Sequence, residues 1–194
     1  MTEQEWLVSS DSKPMLTWLK STGSNRKLRL FMVALLRIEF AATKSIPHWV
    51  RQSVEVAEEM ADSGQIPKQS PGKKLLHLCD NPHYAAVFTA KVAAERRGKA
   101  RVSRQTQADF LREIFGNPFC PAQVHPQWLS WNGGTVRQLA EAIYTDRAFD
   151  RMPILADALE DAGCTDADIL DHLRGPGPHV RGCWVVDMLY PHYR

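Results

Sequence analysis

Helix punctuation recurs along this chain and strand punctuation does not, and that asymmetry limits the folds open to it. Thr2-Glu3-Gln4-Glu5 is a capping box, in which the threonine oxygen takes the N3 amide and the glutamate reaches back to the cap amide. Pro14 stands where a proline suits the first helical position, ahead of Met15, Leu16, Trp18 and Leu19. Asn81-Pro82 pairs an N-cap with an N1 proline before Tyr84, Val87, Phe88 and Val92. Thr135 to Gln138 forms a second capping box, and Thr165 is placed to cap a helix whose first turn holds Asp166 and Asp168. Gly64, Gly116 and Gly163 stand at stop positions. The best strand candidate anywhere is Cys183-Trp184-Val185-Val186. These signals predict an all-α or mostly α fold.

Between Asn25 and Thr43 the run Leu28, Leu30, Phe31, Val33, Leu35, Leu36, Ile38, Phe40 is apolar nearly all round. A helix tolerates that only when other helices surround it. The next helix, after Pro47, points Trp49, Val50, Val54, Val56, Ala57 and Met60 inward. A Pro/Ser/Gly-rich stretch, Gln65 to Lys74, reads as a loop and boundary. The organisation predicted is an N-terminal helical segment (1–64), a loop and basic helical segment packing on it (65–116), and a C-terminal subdomain of short helices (117–194). At 194 residues these form one compact unit or one domain with an attached subdomain.

The first turn is acidic with no apolar run behind it, and no stretch approaches the roughly 20 apolar residues that span a bilayer, so a cytoplasmic protein without membrane contact is expected. In that setting Cys79, Cys120, Cys164 and Cys183 read as reduced thiols. Lys plus Arg (24) nearly balance Asp plus Glu (22), which argues against a dedicated nucleic-acid binder. The balance hides a split. Lys91 to Arg112 carries a net +5 and Glu141 to Asp171 a net −7, so the two segments are set to attract each other, within the chain or between copies.

The blocks MTEQEW, RKLRLF, FGNPF, QWLSWNGGTV and RMPILADALEDAGCTDADILDHLRGPGPHVRGCWVVD together resemble a large paralogous family encoded in planctomycete genomes, to which no activity is attached. The resemblance covers both ends of the chain and not the middle, about residues 62 to 105. It implies a bacterial cytoplasmic setting and a shared architecture, and it transfers no catalytic residue. Relatives often carry cysteines after the RKLRLF block and after the histidine of the ILDH block; here those places hold Ala34, Leu35, Leu36 and Leu173.

Three groups of residues could carry chemistry. Cys164, His172, His179 and Cys183 follow a C-x7-H-x6-H-x3-C order of zinc-type ligands, although the spacing matches no standard module. The plainer reading makes the cysteines small buried residues, and it is the favoured one. Arg174, His179 and Arg181 around Gly175-Pro176-Gly177-Pro178 could bind an anion if Pro178 opened the last helix, against the simpler reading of a stiff connector. Lys91, Arg96, Arg97, Lys99, Arg101 and Arg104 could contact nucleic-acid phosphate, but few aromatics interleave them, and Phe88 and Phe110 read as core positions. Asp80 with His83 is more simply capping chemistry than an acid–base pair, and Trp128 and Trp131 read as loop anchors rather than a ligand platform.

No nucleophile elbow, HExxH or phosphate-binding loop is present, which points away from an enzyme. The leading expectation is therefore a protein–protein interaction module of the cytoplasm, presenting the acidic C-terminal face and needing no cofactor. The alternatives are a nucleic-acid-associated protein using the basic segment, and a metal- or anion-dependent enzyme built on His172, Arg174, His179, Arg181 and Cys183, with zinc as the metal.

Overall fold

The computed structural model describes residues 1–41, 46–65, 81–95 and 102–190. Every regular element among them is a helix, as the punctuation predicts: α1 (Glu3–Val8), α2 (Ser12–Thr22), α3 (Asn25–Ala41), α4 (His48–Ser63), α5 (Pro82–Glu95), α6 (Arg104–Phe115), α7 (Pro126–Ser130), α8 (Thr135–Asp146), α9 (Met152–Asp161), α10 (Ala167–Arg174) and α11 (Trp184–Leu189). No described helix is long and apolar enough to cross a membrane. The chain forms two compact units, 1–112 and 113–194, with the division inside α6. The expected boundary loop lies, from residue 66 on, outside the described residues.

In the N-terminal unit α3 is the central helix, with α4 and α5 packed on it. Its predicted all-round burial is realised from Leu28 to Leu35, where Leu28, Leu30, Phe31, Val33 and Leu35 are at most 2% exposed, while Leu36, Ile38 and Phe40 in the last turns are only partly buried. α1 opens on the capping box, Thr2 Oγ1 accepting the Glu5 amide at 3.2 Å and Glu5 Oε2 accepting the Thr2 amide at 2.8 Å. Two inward assignments fail. Trp49 is about half exposed, because α4 buries the stripe Val54, Ala57, Met60 and Trp49 lies off it. Phe88 is likewise exposed: α5 turns Ala85, Ala86, Thr89, Ala90 and Ala93 inward, so the larger Tyr84, Val87, Phe88 and Val92 fall on its opposite side. Phe110 is buried as expected.

Polar atoms also hold this unit. The Gln107 side chain, 1% exposed, donates from Nε2 to Ala90 O (2.9 Å) and Val102 O (3.1 Å), while its Oε1 accepts the Ser12 hydroxyl (2.6 Å). One amide thereby ties α2, α5 and the lead-in to α6.

The C-terminal unit is built around Val136, Ile143, Met152, Leu155, Leu159, Ile169 and Leu173, closed by Val185, Val186 and Leu189. The predicted Cys183–Val186 strand is instead the start of α11, whose Asp187 amide bonds back to Cys183 O at 2.9 Å; tertiary packing overrides the β-propensity of the two valines. The second capping box is not formed. α8 starts at Thr135 itself, one residue late for a cap, so its hydroxyl donates to Asn132 O and Gln138 Nε2 donates to Gly133 O. The cap of α10 is Asp166, not Thr165, its Oδ1 accepting the amides of Asp168 and Ile169.

Replacing Gln107 by Leu keeps most of the buried volume but strands two carbonyls and a hydroxyl. Urea unfolding of Gln107→Leu is expected to show a loss of about 2 kcal/mol or more; a loss within a few tenths would show that the amide is dispensable.

Candidate metal centre

Glu113, His172, His179 and Cys183 bring one ligand atom each to a common point, all within 4.8 Å of one another. Each arrives from a different piece of the C-terminal unit. Glu113 sits in the last turn of α6, His172 in the last turn of α10, His179 in the connector after it, and Cys183 at the cap of α11. The side chains of Glu113 and His179 are 3% and 9% exposed, and Cys183 is fully buried. Gly177 lets the connector turn at φ +84°, and a Cβ there would fall 2.6 Å from the His179 amide, so the approach of His179 needs a glycine.

The hydrogen-bond accounting is complete without any added group. His179 Nε2–H donates to Gly175 O (3.1 Å), while Nδ1 faces both Glu113 oxygens (3.3 and 3.4 Å). The Val180 amide donates to Glu113 Oε1 (3.2 Å). His172 accepts at Nδ1 from the Trp184 indole N–H (3.3 Å), so the proton of the neutral ring lies on Nε2, which faces Glu113 Oε2 (3.3 Å) and Cys183 Sγ (3.2 Å).

Electrostatics follow burial. Desolvation pushes the Glu113 carboxyl up, only partly offset by His179, the Val180 amide and Cys183. Burial pulls His179 down, but the hydrogen bond and charge of Glu113, with the Gly175 carbonyl, outweigh it and leave the imidazole above its ordinary value. His172 drops to about 4, through burial first and the nearby His179 second. The Cys183 thiol is held well above its ordinary value by burial and by Glu113. The quartet in this state is a His179–Glu113 pair keeping a proton, a neutral His172 and a protonated thiol.

The same atoms suit a metal. A tetrahedral zinc site has edges of about 3.3 Å between nitrogen and oxygen ligands and about 3.6 Å between nitrogen and sulfur, from its usual bond lengths. Of the six edges, the two from Glu113 Oε2 to the imidazole nitrogens are 3.3 Å, the one from His172 Nε2 to Cys183 Sγ is 3.2 Å, shorter than a zinc site would set it, and all four atoms lie within 4.8 Å of one another. Carboxylate oxygen, imidazole nitrogen and thiolate sulfur are all ligands that zinc accepts, and His179 already has its far nitrogen held by a backbone carbonyl, as ligating histidines do. One feature opposes: the Trp184 donor favours the His172 tautomer with Nε2 protonated. Losing that neutral hydrogen bond costs about 1 kcal/mol, small beside the roughly 10–16 kcal/mol of a structural zinc.

Of the predicted metal set, His172, His179 and Cys183 converge and Cys164 is not in the group. Cys164 follows the stop of α9, its amide bonded to Leu159 O, and is buried in the apolar core of the unit. Its place is taken by Glu113, a carboxylate that no Cys/His spacing could flag. The predicted anion site does not assemble: Arg174 is held by Asp157 (2.9 Å) and Glu160 (2.7 Å), His179 by Glu113, and Arg181 lies over the Tyr144 ring (4.3 Å). Nor does Pro178 open a helix, since α11 starts at Trp184.

In the basic segment Lys91 is exposed and Arg104 pairs with Asp11 (3.1 Å), while Arg96, Arg97, Lys99 and Arg101 lie outside the described residues. So do Asp80 and Cys79; His83 spends its Nε2–H on Leu16 O (2.7 Å). Trp128 is buried and Trp131 packs partly buried against the same core. No family model, curated protein or solved structure matches the chain.

A folded-state value of about 4 for His172 means that the unfolded chain takes up this proton first as pH falls. Stability is thus lost between about pH 6.5 and pH 4, by up to about 3 kcal/mol. In chelator, the stability of wild type relative to His172→Gln is expected to shrink over that window in urea titrations; a pH-independent difference would contradict the neutral His172.

Proposed function

We propose that the C-terminal unit is a metal-binding module that holds one structural zinc ion through Glu113 Oε2, His172 Nε2, His179 Nδ1 and Cys183 Sγ. The observation that supports it is the convergence, within 4.8 Å of one another, of four buried or partly buried zinc-type donors drawn from four separate segments. Four protein ligands complete a tetrahedron and leave no position for substrate or water, which is the pattern of structural rather than catalytic sites. When bound, the ion would supply a cross-link between the end of α6, α10, the connector and α11, and would take the Cys183 thiol as thiolate.

Protein purified without a tag is expected to contain about one equivalent of zinc by mass spectrometry, to lose thermal stability in strong chelator, and to lose the metal on His179→Ala or Cys183→Ser. Cys164→Ser is expected to retain it. A metal-free sample whose unfolding is unchanged by zinc or chelator would overturn the proposal.

A second reading, an interaction module, is favoured by one observation, which lies in the N-terminal unit and not on the acidic C-terminal face that the sequence suggested. Tyr84, Val87, Phe88 and Val92 form an exposed apolar stripe along α5, with the Tyr84 and Phe88 rings stacked at 6.3 Å. A Tyr84→Glu, Phe88→Glu variant should keep its helix content and lose any partner that wild type cross-links; recovery of the same partner by both proteins would remove this surface from consideration.

A further inference from the structure

We propose that Trp184 is a positioning residue that fixes the His172 proton on Nε2 and thereby grades metal entry at the quartet. The grading of entry rests on the metal-binding reading above; the fixing of the proton does not.

An indole N–H can only donate, so its bond to His172 Nδ1 at 3.3 Å requires a lone pair on that nitrogen. The neutral ring then carries its proton on Nε2, aimed between Glu113 Oε2 and Cys183 Sγ. An ion at the centre needs the Nε2 lone pair. The proton must then leave or move to Nδ1, where it would meet the Trp184 donor head-on. In most histidine metal sites the far nitrogen faces an acceptor, which favours the ligating tautomer. His179 follows that rule through Gly175 O, and His172 inverts it. The two imidazoles of one site are therefore prepared in opposite senses.

The Trp184 placement is built rather than incidental. Its ring packs against Gly116, where a Cβ would lie 3.0 Å from the indole Cγ and φ is +65°, so the turn ending α6 is shaped to admit an indole. The indole also meets the His172 ring, centroids 5.2 Å apart. Trp184 also follows Cys183 directly, so its side chain and one ligand share the start of α11. Release of the indole on metal entry would accordingly be felt at the helix that ends the core.

Two measurements on the full chain test this. In chelator, long-range 15N–1H NMR of the His172 ring is expected to show a protonated Nε2 and a bare Nδ1 in wild type, and a mixture of both tautomers in Trp184→Phe. A protonated Nδ1 in wild type overturns the proposal without reference to any metal or variant. In zinc titrations Trp184→Phe is expected to bind about tenfold more tightly than wild type, within the range by which outer-shell partners tune metal sites. The Trp184 indole proton of wild type is expected to move to the shift of an unbonded N–H as zinc is added. Equal or weaker binding by the variant, or an unmoved indole proton in a zinc-loaded wild type, overturns the grading while leaving the metal reading standing. Failure of both proteins to bind zinc, with the tautomers as expected, overturns the metal reading and the grading and leaves the positioning of the proton standing.

Discussion

The C-terminal unit turns on one buried carboxylate. Glu113 is 4% exposed, and a lone carboxylate at that depth would neutralise itself or open the fold. It is tolerated because three donors from the far end of the unit converge on it: His179, the Val180 amide and His172. The connector of residues 175–182 carries no helix and buries few apolar side chains of its own, so these polar contacts, rather than hydrophobic burial, set its path. Removing the carboxylate would leave several buried donors without acceptors at once, which makes Glu113 a constraint on the fold before it is a ligand of anything.

What the sequence made legible divides along the range of the interactions. Helices fixed by local signals were readable: the capping box at Thr2, the apolar band of α3 and the Asn81-Pro82 start, where the Tyr84 amide bonds to Asn81 Oδ1. Signals that depend on how a turn is spent were misread by a residue. Asn132, Gly133 and Gly134 all take positive φ, carry the chain past the position where Thr135 would cap, and leave its hydroxyl to Asn132 O. Where tertiary packing decides, local reading failed outright, as at Trp184-Val185-Val186, a β-prone run wound into a helix by the core it faces. The site followed the same division. Three of its four members stood in one 12-residue stretch and were visible as ligand types, but the fourth lay more than 50 residues earlier. A signal for it did exist: Glu113 stands one helical turn after Phe110 and beside Ile114, on the buried side of α6, where an acidic residue needs a partner.

The acidic surface of the unit, by contrast, carries no comparable constraint. Asp157 and Glu160 on α9 are exposed and share the Arg174 guanidinium, an arrangement that solvent and salt weaken. The acidic charge of this surface is thus energetically minor, whereas Glu113 and Asp187 are the acidic side chains that the unit buries among the described residues.

Whether the quartet is closed by protons or by an ion is a contest between two sets of terms of unequal size. On the proton side stand the Trp184 bond to His172, the His179–Glu113 pair and the cost of ionising a fully buried thiol. Hydrogen bonds among neutral groups contribute about 1 kcal/mol each and those to charged groups about 1.5–3 kcal/mol. On the metal side stands a single term, which in zinc-finger peptides is roughly 10–16 kcal/mol at pH 7 and already includes the release of ligand protons. On the proposed reading a term of that size would favour the ion, and falling pH would move the balance back by protonating the ligands. A site that is well satisfied with protons has a further consequence: the unit need not unfold when the ion leaves. That would separate it from zinc fingers, whose apo state has no such network to fall back on.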